Sequence, residues 1–218
     1  MVPNPLFGLP PIPHHHADTS RRFYPIKPTD KPNELYHDAI NGCSVPGLRL
    51  IRNGNSREML IFIDGACSNS GTPQARAGYG IKWSARNHIS ERLEGDGPET
   101  SNRAELRAAI VALGLRAWTG EGFDKVVLAC DSEYVVVGIS EWVHDWKKNG
   151  WRTDQQSPVE NRDLWEMLLA ALAKQDDEGV MVQFWLIPRQ YNEADLFAKA
   201  GTFEERREHM DKIAAFDL

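Results

Sequence analysis

Four carboxylates stand where a fold could aim them at one point. Asp64 closes the apolar run Met59-Leu60-Ile61-Phe62-Ile63, and Asp131 closes a second one, Val126-Val127-Leu128-Ala129-Cys130. Glu105 lies in the first turn of a helical stretch that begins at Asn102, and Asp195 opens a late helix after Asn192-Glu193-Ala194. Carboxylates gathered in one place repel unless cations hold them, and hard oxygen ligands in that number suit Mg²⁺ or Mn²⁺, most simply as two ions. Each residue also has a plainer reading. Asp64-Gly65 is a common turn pair, and Asp131 could cap the helix that follows. Glu105, three residues after Asn102, completes a capping box, while Asp195 in a first turn suits the helix macrodipole. The joint appearance of all four at element ends is a stronger signal than any one of them, but pattern alone leaves both readings open.

The elements that must position them follow from periodicity. Residues 59–64, 78–84 and 88–93 read as closely spaced strands, an antiparallel meander. Residues 102–118 carry apolar side chains at helical spacing (Ala104, Ala108, Val111, Leu115), and 125–131 return as a strand. A helix over 132–139, a tryptophan-rich segment over 142–151, a helix over 161–173, a strand over 180–187 and a helix over 193–201 complete the order. Such a βββαβααβα sequence predicts a five-stranded mixed sheet, meander plus parallel strands, flanked by helices.

Composition sets the outer bounds. With 218 residues, 41% hydrophobic and 26% charged, the chain can bury one core of ordinary size, so one domain is expected over 57–201. A net charge of −6 excludes a bulk polycation, and any nucleic-acid binding must come from a local patch together with metal ions. The cysteines, Cys43, Cys67 and Cys130, are odd in number and scattered, which argues against a disulfide framework and a cysteine zinc site and fits a reducing compartment. No stretch approaches the roughly 18 apolar residues of a membrane span, and no signal-peptide pattern opens the chain. A monomeric intracellular protein, nuclear or cytoplasmic, without membrane association is the expectation. Nine of the thirteen prolines fall at or before position 46, and residues 1–45 show no structural period, so a disordered tail is expected there. His14, His15 and His16 in that tail are read as solvated rather than metal-binding. Residues 202–218 are amphipathic and read as a helix docking on the core.

Several motifs, in order, resemble one family. They are Ile63-Asp64-Gly65, the run from Thr100-Ser101-Asn102-Arg103-Ala104-Glu105 to Leu113, Asp131-Ser132-Glu133-Tyr134-Val135, the Trp- and Lys-rich 138–153, the 158–165 segment and Asn192-Glu193-Ala194-Asp195. Together they are similar to the cellular type 1 ribonuclease H family over about 140 residues, from Leu60 to Gly201. The resemblance implies a ribonuclease H-like fold and endonucleolytic hydrolysis of the RNA strand of RNA/DNA hybrids by two metal ions, Mg²⁺ or alternatively Mn²⁺, held by Asp64, Glu105, Asp131 and Asp195. It implies that Cys67, Asn69, Ser101, Asn102 and Glu133 line the RNA strand, where the 2′-hydroxyl distinguishes RNA from DNA. Thr100 and Asn161 match positions that grip a DNA phosphate. Trp142 matches one that contacts DNA sugars, and Lys147 and Lys148 face phosphate. Trp146 and Trp151 are read as packing the protrusion onto the domain.

Two departures matter. Between Trp185 and Asp195 the chain has no histidine, where family members often carry one on a flexible loop; Arg189 offers charge there but cannot shuttle a proton near neutral pH. No hybrid-binding domain is recognisable before residue 57. The competing reading is therefore a non-catalytic or weakly active nucleic-acid-binding module on the same fold.

Overall fold

Residues 59–64 are buried without a break, as a strand covered on both faces must be. They form the middle of the longest strand in the structure, a computed structural model that describes residues 21–42 and 46–207. The strands are β1 (Tyr36–Ile40), β2 (Leu48–Arg52), β3 (Asn55–Ser68), β4 (Arg76–Lys82), β5 (His88–Arg92), β6 (Lys125–Cys130) and β7 (Met181–Leu186). The helices are α1 (Pro32–Leu35), α2 (Ser101–Gly114), α3 (Glu133–Val137), α4 (Val143–Lys148), α5 (Arg162–Asp177) and α6 (Asp195–Gly201). A single π turn, Gly138–Trp142, joins α3 to α4, so the break expected near 139 is a continuous helical path with one widened turn.

All seven strands form one sheet. Along one edge, β3 pairs antiparallel first with β2 (Met59 with Ile51) and then with β4 (Phe62 with Lys82); along the other it pairs in parallel with β6, which pairs in parallel with β7. The five strands read from the sequence are all present. The hairpin β1–β2 adds two more, and β3 is longer than expected because it serves three neighbours. Strand alternation splits the core. Met59, Ile61 and Ile63 face α2, α3 and α5, whereas Leu60 and Phe62 face a second cluster with Phe23, Tyr36, Trp185, Ile187 and Ala194. On that second face, α6 lies against β4 so closely that a Cβ on Gly80 would come within 2.4 Å of the Ala198 backbone nitrogen. Helix α2 ends at Gly114, earlier than periodicity suggested; Trp118 instead turns inward, fully buried, its Nε1 donating to the Ala112 carbonyl at 3.3 Å.

The expectation of a disordered tail through residue 45 does not hold for 21–42. Phe23 and Tyr36 are buried, their rings 5.0 and 6.4 Å from Trp185, and the Phe23 amide donates to the Phe184 carbonyl on the outer edge of β7. Tyr36 donates to Glu58 at 2.5 Å, and Glu58 also pairs with Lys125. Burial here rests on two isolated aromatics, which leave no periodic trace. The prolines fit the structure rather than oppose it, Pro32 opening α1 where no amide is needed. Residues 1–20, with the three histidines, lie outside the described residues, as do 208–218. Of the helix expected over 202–218, the described part, 202–207, is turn and irregular chain. Among the described residues, no helix is long and apolar enough to cross a membrane.

Phe23→Ala should therefore destabilise the domain by about 3–5 kcal/mol, as expected for loss of a buried phenyl ring. Urea denaturation of the variant checks this; an unchanged midpoint would return the segment to the status of a loose tail.

Candidate active site

Parallel register brings the first two carboxylates together. Phe62 on β3 stands opposite Ala129 on β6, the last pair of that ladder; two residues beyond it, Asp64 within β3 and Asp131 just past the end of β6 line one cleft. The third arrives with α2, capped by the Thr100 hydroxyl, which accepts from the Arg103 amide at 3.3 Å. That helix sits directly on β3: a Cβ at Gly65 would lie 2.3 Å from the Glu105 backbone nitrogen. Glycine after Asp64 is thus what lets Glu105 reach Asp64. A cleft of about 530 Å³ results, lined by Asp64, Glu105 and Asp131 with Cys67, Ser101 and Arg189 among its other walls.

Asp195, the fourth, opens α6 and is turned sideways. Its carboxylate accepts from Arg189 at 2.7 Å and from Lys199 at 2.6 Å, both of which line the cleft. Two polar residues not singled out by the sequence reading hold the others. Ser132 caps α3 and donates to Glu105. Asn192, buried, donates to Asp131 at 2.7 Å and to the Ile63 carbonyl at 3.0 Å. Both lie inside the motifs that carry the carboxylates, but their partners are distant in sequence, so no local pattern names them.

The charges are in conflict. Burial first, and then the negative charges of Asp131, Glu105 and Asp195, push Asp64 up to about 7 from an ordinary 3.8. Glu105 is raised as well, mainly by burial, with Asp131 adding to it and the hydrogen bond from Ser132 opposing. Asp195 goes the other way: burial would raise it, yet the hydrogen bonds from Lys199 and Arg189 hold it below the usual carboxylate range. Among the described residues, no group of three or more acidic, histidine or cysteine side chains is placed so that it could hold a metal ion as it stands. The donor set instead fits an open site. Mg²⁺ keeps several waters and takes one or two carboxylates plus substrate phosphate, and the surplus negative charge on Asp64 is what such a cation would relieve.

The remaining residues of interest fall into three groups. Cys67 and Ser101 line the cleft itself; Asn102 is half-buried in the first turn of α2, while Glu133 and Asn69 are exposed beyond the strand ends, Asn69 in a left-handed turn (φ 51°). Thr100 and Asn161 are linked through Arg103, whose amide donates to Thr100 and whose guanidinium donates to Asn161 at 3.4 Å and to Asp163 at 2.9 and 2.6 Å. Asn161 in turn donates to the Tyr134 hydroxyl at 3.0 Å. Trp142, 40% exposed, leans on Tyr134 and Trp146, and Trp146 meets Trp165 edge-on at 5.4 Å. Trp151 carries the Arg162 guanidinium over its ring at 5.3 Å. Lys147 and Lys148 end α4 in solvent, away from the carboxylates.

Known proteins share this arrangement of chain. The family model for RNase H matches residues 56–202. The ribonuclease H of Salmonella arizonae is 38% identical over 152 residues, covering 70% of this chain and 94% of the relative, and that of Salmonella newport gives the same values. The solution structure of the PFV RNase H domain matches with a TM-score of 0.51 at 21% identity, over 66% of this chain and 93% of that one, a likeness of fold.

Because Asp64 holds its proton more tightly folded than unfolded, the folded state carries the extra proton between about pH 4 and pH 7 and loses stability as pH rises through that window. In EDTA the thermal midpoint of Asp64→Asn should fall less steeply across this range than that of the wild type, by several degrees. Mg²⁺ should flatten the wild-type curve; parallel curves in EDTA would remove the electrostatic conflict.

Proposed function

This chain belongs to the ribonuclease H family, and from that premise we propose how it acts as an endonuclease on the RNA strand of RNA/DNA hybrids. The family uses divalent metal ions, and the reading here is two Mg²⁺, with Mn²⁺ as a substitute, held by Asp64, Glu105, Asp131 and Asp195. Three of these carboxylates line one cleft, and that convergence is the observation that carries the proposal. When bound, such cations supply activation of water for in-line attack on phosphorus and charge compensation at the departing 3′ oxygen.

The chain's own residues then have distinct tasks. Asp64, held within β3, and Asp131, directly after the adjacent parallel strand β6, give the site a rigid base. Glu105, steadied by Ser132, closes the site from the side of α2. Asp195 must exchange its hydrogen bonds to Arg189 and Lys199 for a cation, which makes it the adjustable member of the set. With these two cations beside the cleft, an RNA phosphate meets positive charge in an otherwise acidic protein.

Hybrid recognition divides between two surfaces. Cys67 and Ser101, at the cleft, with Asn69, Asn102 and Glu133 around it, are assigned to the RNA strand and its 2′-hydroxyls. Thr100 and Asn161, joined by Arg103, are assigned to a DNA phosphate, Trp142 to deoxyribose, and Lys147 and Lys148 to the phosphates beyond. A monomer suffices for this layout.

The test is cleavage of labelled hybrid, duplex RNA and duplex DNA with and without Mg²⁺. Cutting confined to the RNA of the hybrid and abolished by EDTA is expected; binding without cleavage even in Mn²⁺ would favour a non-catalytic module, to which the clasp on Asp195 would then contribute. Asp64→Asn and Asp131→Asn should abolish cleavage while hybrid binding persists. Replacing Lys147 and Lys148 with Ala should raise KM and lower the slope of log affinity against log salt by about 1 per lysine; an unchanged slope would remove α4 from the interface.

A further inference from the structure

Asn192 is buried at 6% exposure, and every hydrogen bond of its carboxamide goes to an element that carries a carboxylate of the site. Its Nδ2 donates to the Ile63 carbonyl at 3.0 Å, the peptide next to Asp64 on β3, and to Asp131 Oδ1 at 2.7 Å, just past β6. Its Oδ1 accepts from the Ala194 amide at 3.2 Å, immediately ahead of Asp195 and α6. The orientation of the amide is not arbitrary, because a carbonyl can only accept and a backbone N–H can only donate. Only a primary amide of this length supplies two donors and an acceptor here. Aspartate would bring no donor and a further negative charge beside Asp131, and an apolar isostere would leave the Ile63 carbonyl and the Ala194 amide without this partner.

The three elements are paired and packed below this level, but their spacing at the height of the carboxylates depends on what spans them there. Strands β3 and β6 are joined by backbone pairing as far as Phe62 and Ala129, but that pairing has ended where Asp64 and Asp131 project. The chain entering α6 reaches the same point through a turn, Arg189–Tyr191, whose own three residues are not buried. Asn192 bridges the gap at that height. We propose that Asn192 is a positioning residue that fixes the spacing of Asp64 and Asp131 and the entry of the helix bearing Asp195, so that divalent cations meet a preset pair of carboxylates and only Asp195 has to exchange partners. The role rests on the reading of these carboxylates as metal ligands. It makes one side chain responsible for the joint geometry of three ligands contributed by three elements, while touching neither substrate nor metal.

The experiment compares Asn192→Ala, Asn192→Ser and Asn192→Asp with the wild type, using Mg²⁺ alone as the probe. Substrate-free protein is titrated with Mg²⁺ by calorimetry, and kcat and KM are measured separately on hybrid. In Asn192→Ala and Asn192→Ser the half-saturating Mg²⁺ concentration should rise about 10–100-fold and kcat should fall over a similar range, with KM for hybrid within about threefold. Asn192→Asp, which keeps the shape and loses both donors, should lose kcat likewise; full activity in this variant would overturn the proposal. Phe23→Ala serves as a destabilised control distant from the cleft, expected to keep its Mg²⁺ midpoint while melting earlier. Wild-type Mg²⁺ affinity and kcat in Asn192→Ala, or a matching loss in Phe23→Ala, would reduce Asn192 to a structural residue. Should Asn192→Ala not fold, Asn192→Ser carries the same comparison. Asp131→Asn separates the two levels of inference. An active Asp131→Asn withdraws the metal-ligand reading itself, whereas an inactive one beside a normal Asn192→Ala sinks only the role of Asn192.

Discussion

The cleft gathers negative charge that the fold cannot neutralise by itself. Asp64 is buried beside Asp131 and Glu105, and the cost of that placement is visible in a carboxyl pushed up to about 7. Repulsion of this kind is tolerated in a folded protein where a counter-charge comes from outside the chain. The internal cations Arg189 and Lys199 pair directly with Asp195 at the margin, and Arg189 eases Glu105 only through its more distant charge. The divalent cations that the family uses would supply that counter-charge in the deep part of the site, and with it the acidic net charge of the chain would be no obstacle to holding a polyanion.

Everything that supports the cleft can be understood as holding like charges in register. Parallel pairing of β3 with β6, ending at Phe62 and Ala129, brings Asp64 and Asp131 to the same cleft. The absence of a side chain at Gly65 sets the depth at which α2 docks, and hence where Glu105 arrives. Ser132 and Asn192 then hold individual oxygen atoms. The hierarchy runs from backbone to side chain to single hydrogen bond, each level correcting what the previous one leaves loose. The protrusion from the π turn through α4 to Trp151 is anchored separately, by Trp146 on Trp165 and by Trp151 under Arg162. Its two lysines can therefore stay in solvent without loosening the site.

Much of this was legible in the chain. The apolar runs ending in Asp64 and Asp131, the helix from Asn102 and the late helix at Asp195 are local patterns, and local patterns survive translation into strands and helices. What could not be read was non-local. Phe23 and Tyr36 have no period, so only the sheet face they cover reveals that residues 21–42 belong to the domain. Asn192 and Ser132 look like ordinary loop and cap residues until their partners, far off in sequence, are seen. Helix α2 stops at Gly114 because Trp118 has a better place inside than on a continued helix, a tertiary preference overriding a periodic one. The turn of Asp195 toward Arg189 and Lys199 is likewise a matter of three-dimensional neighbours.

The segment that covers the second sheet face leans on the back of the loop that carries Arg189. Phe23 and Tyr36 pack on Trp185, and the Lys31 ammonium stands 5.7 Å over the Tyr191 ring, on either side of the stretch from which Arg189 projects into the cleft. The part around Phe23 meets β7 in a single bridge, whereas Tyr36 is held in the β1–β2 ladder, which makes the stretch ahead of β1 a natural unit for sub-global opening. If it peels away first on heating, the loop loses its backing while the central strands are still paired. Inactivation would then run ahead of collapse, and amide protons around Phe184 and Tyr191 would exchange sooner than those of Leu60 or Val127.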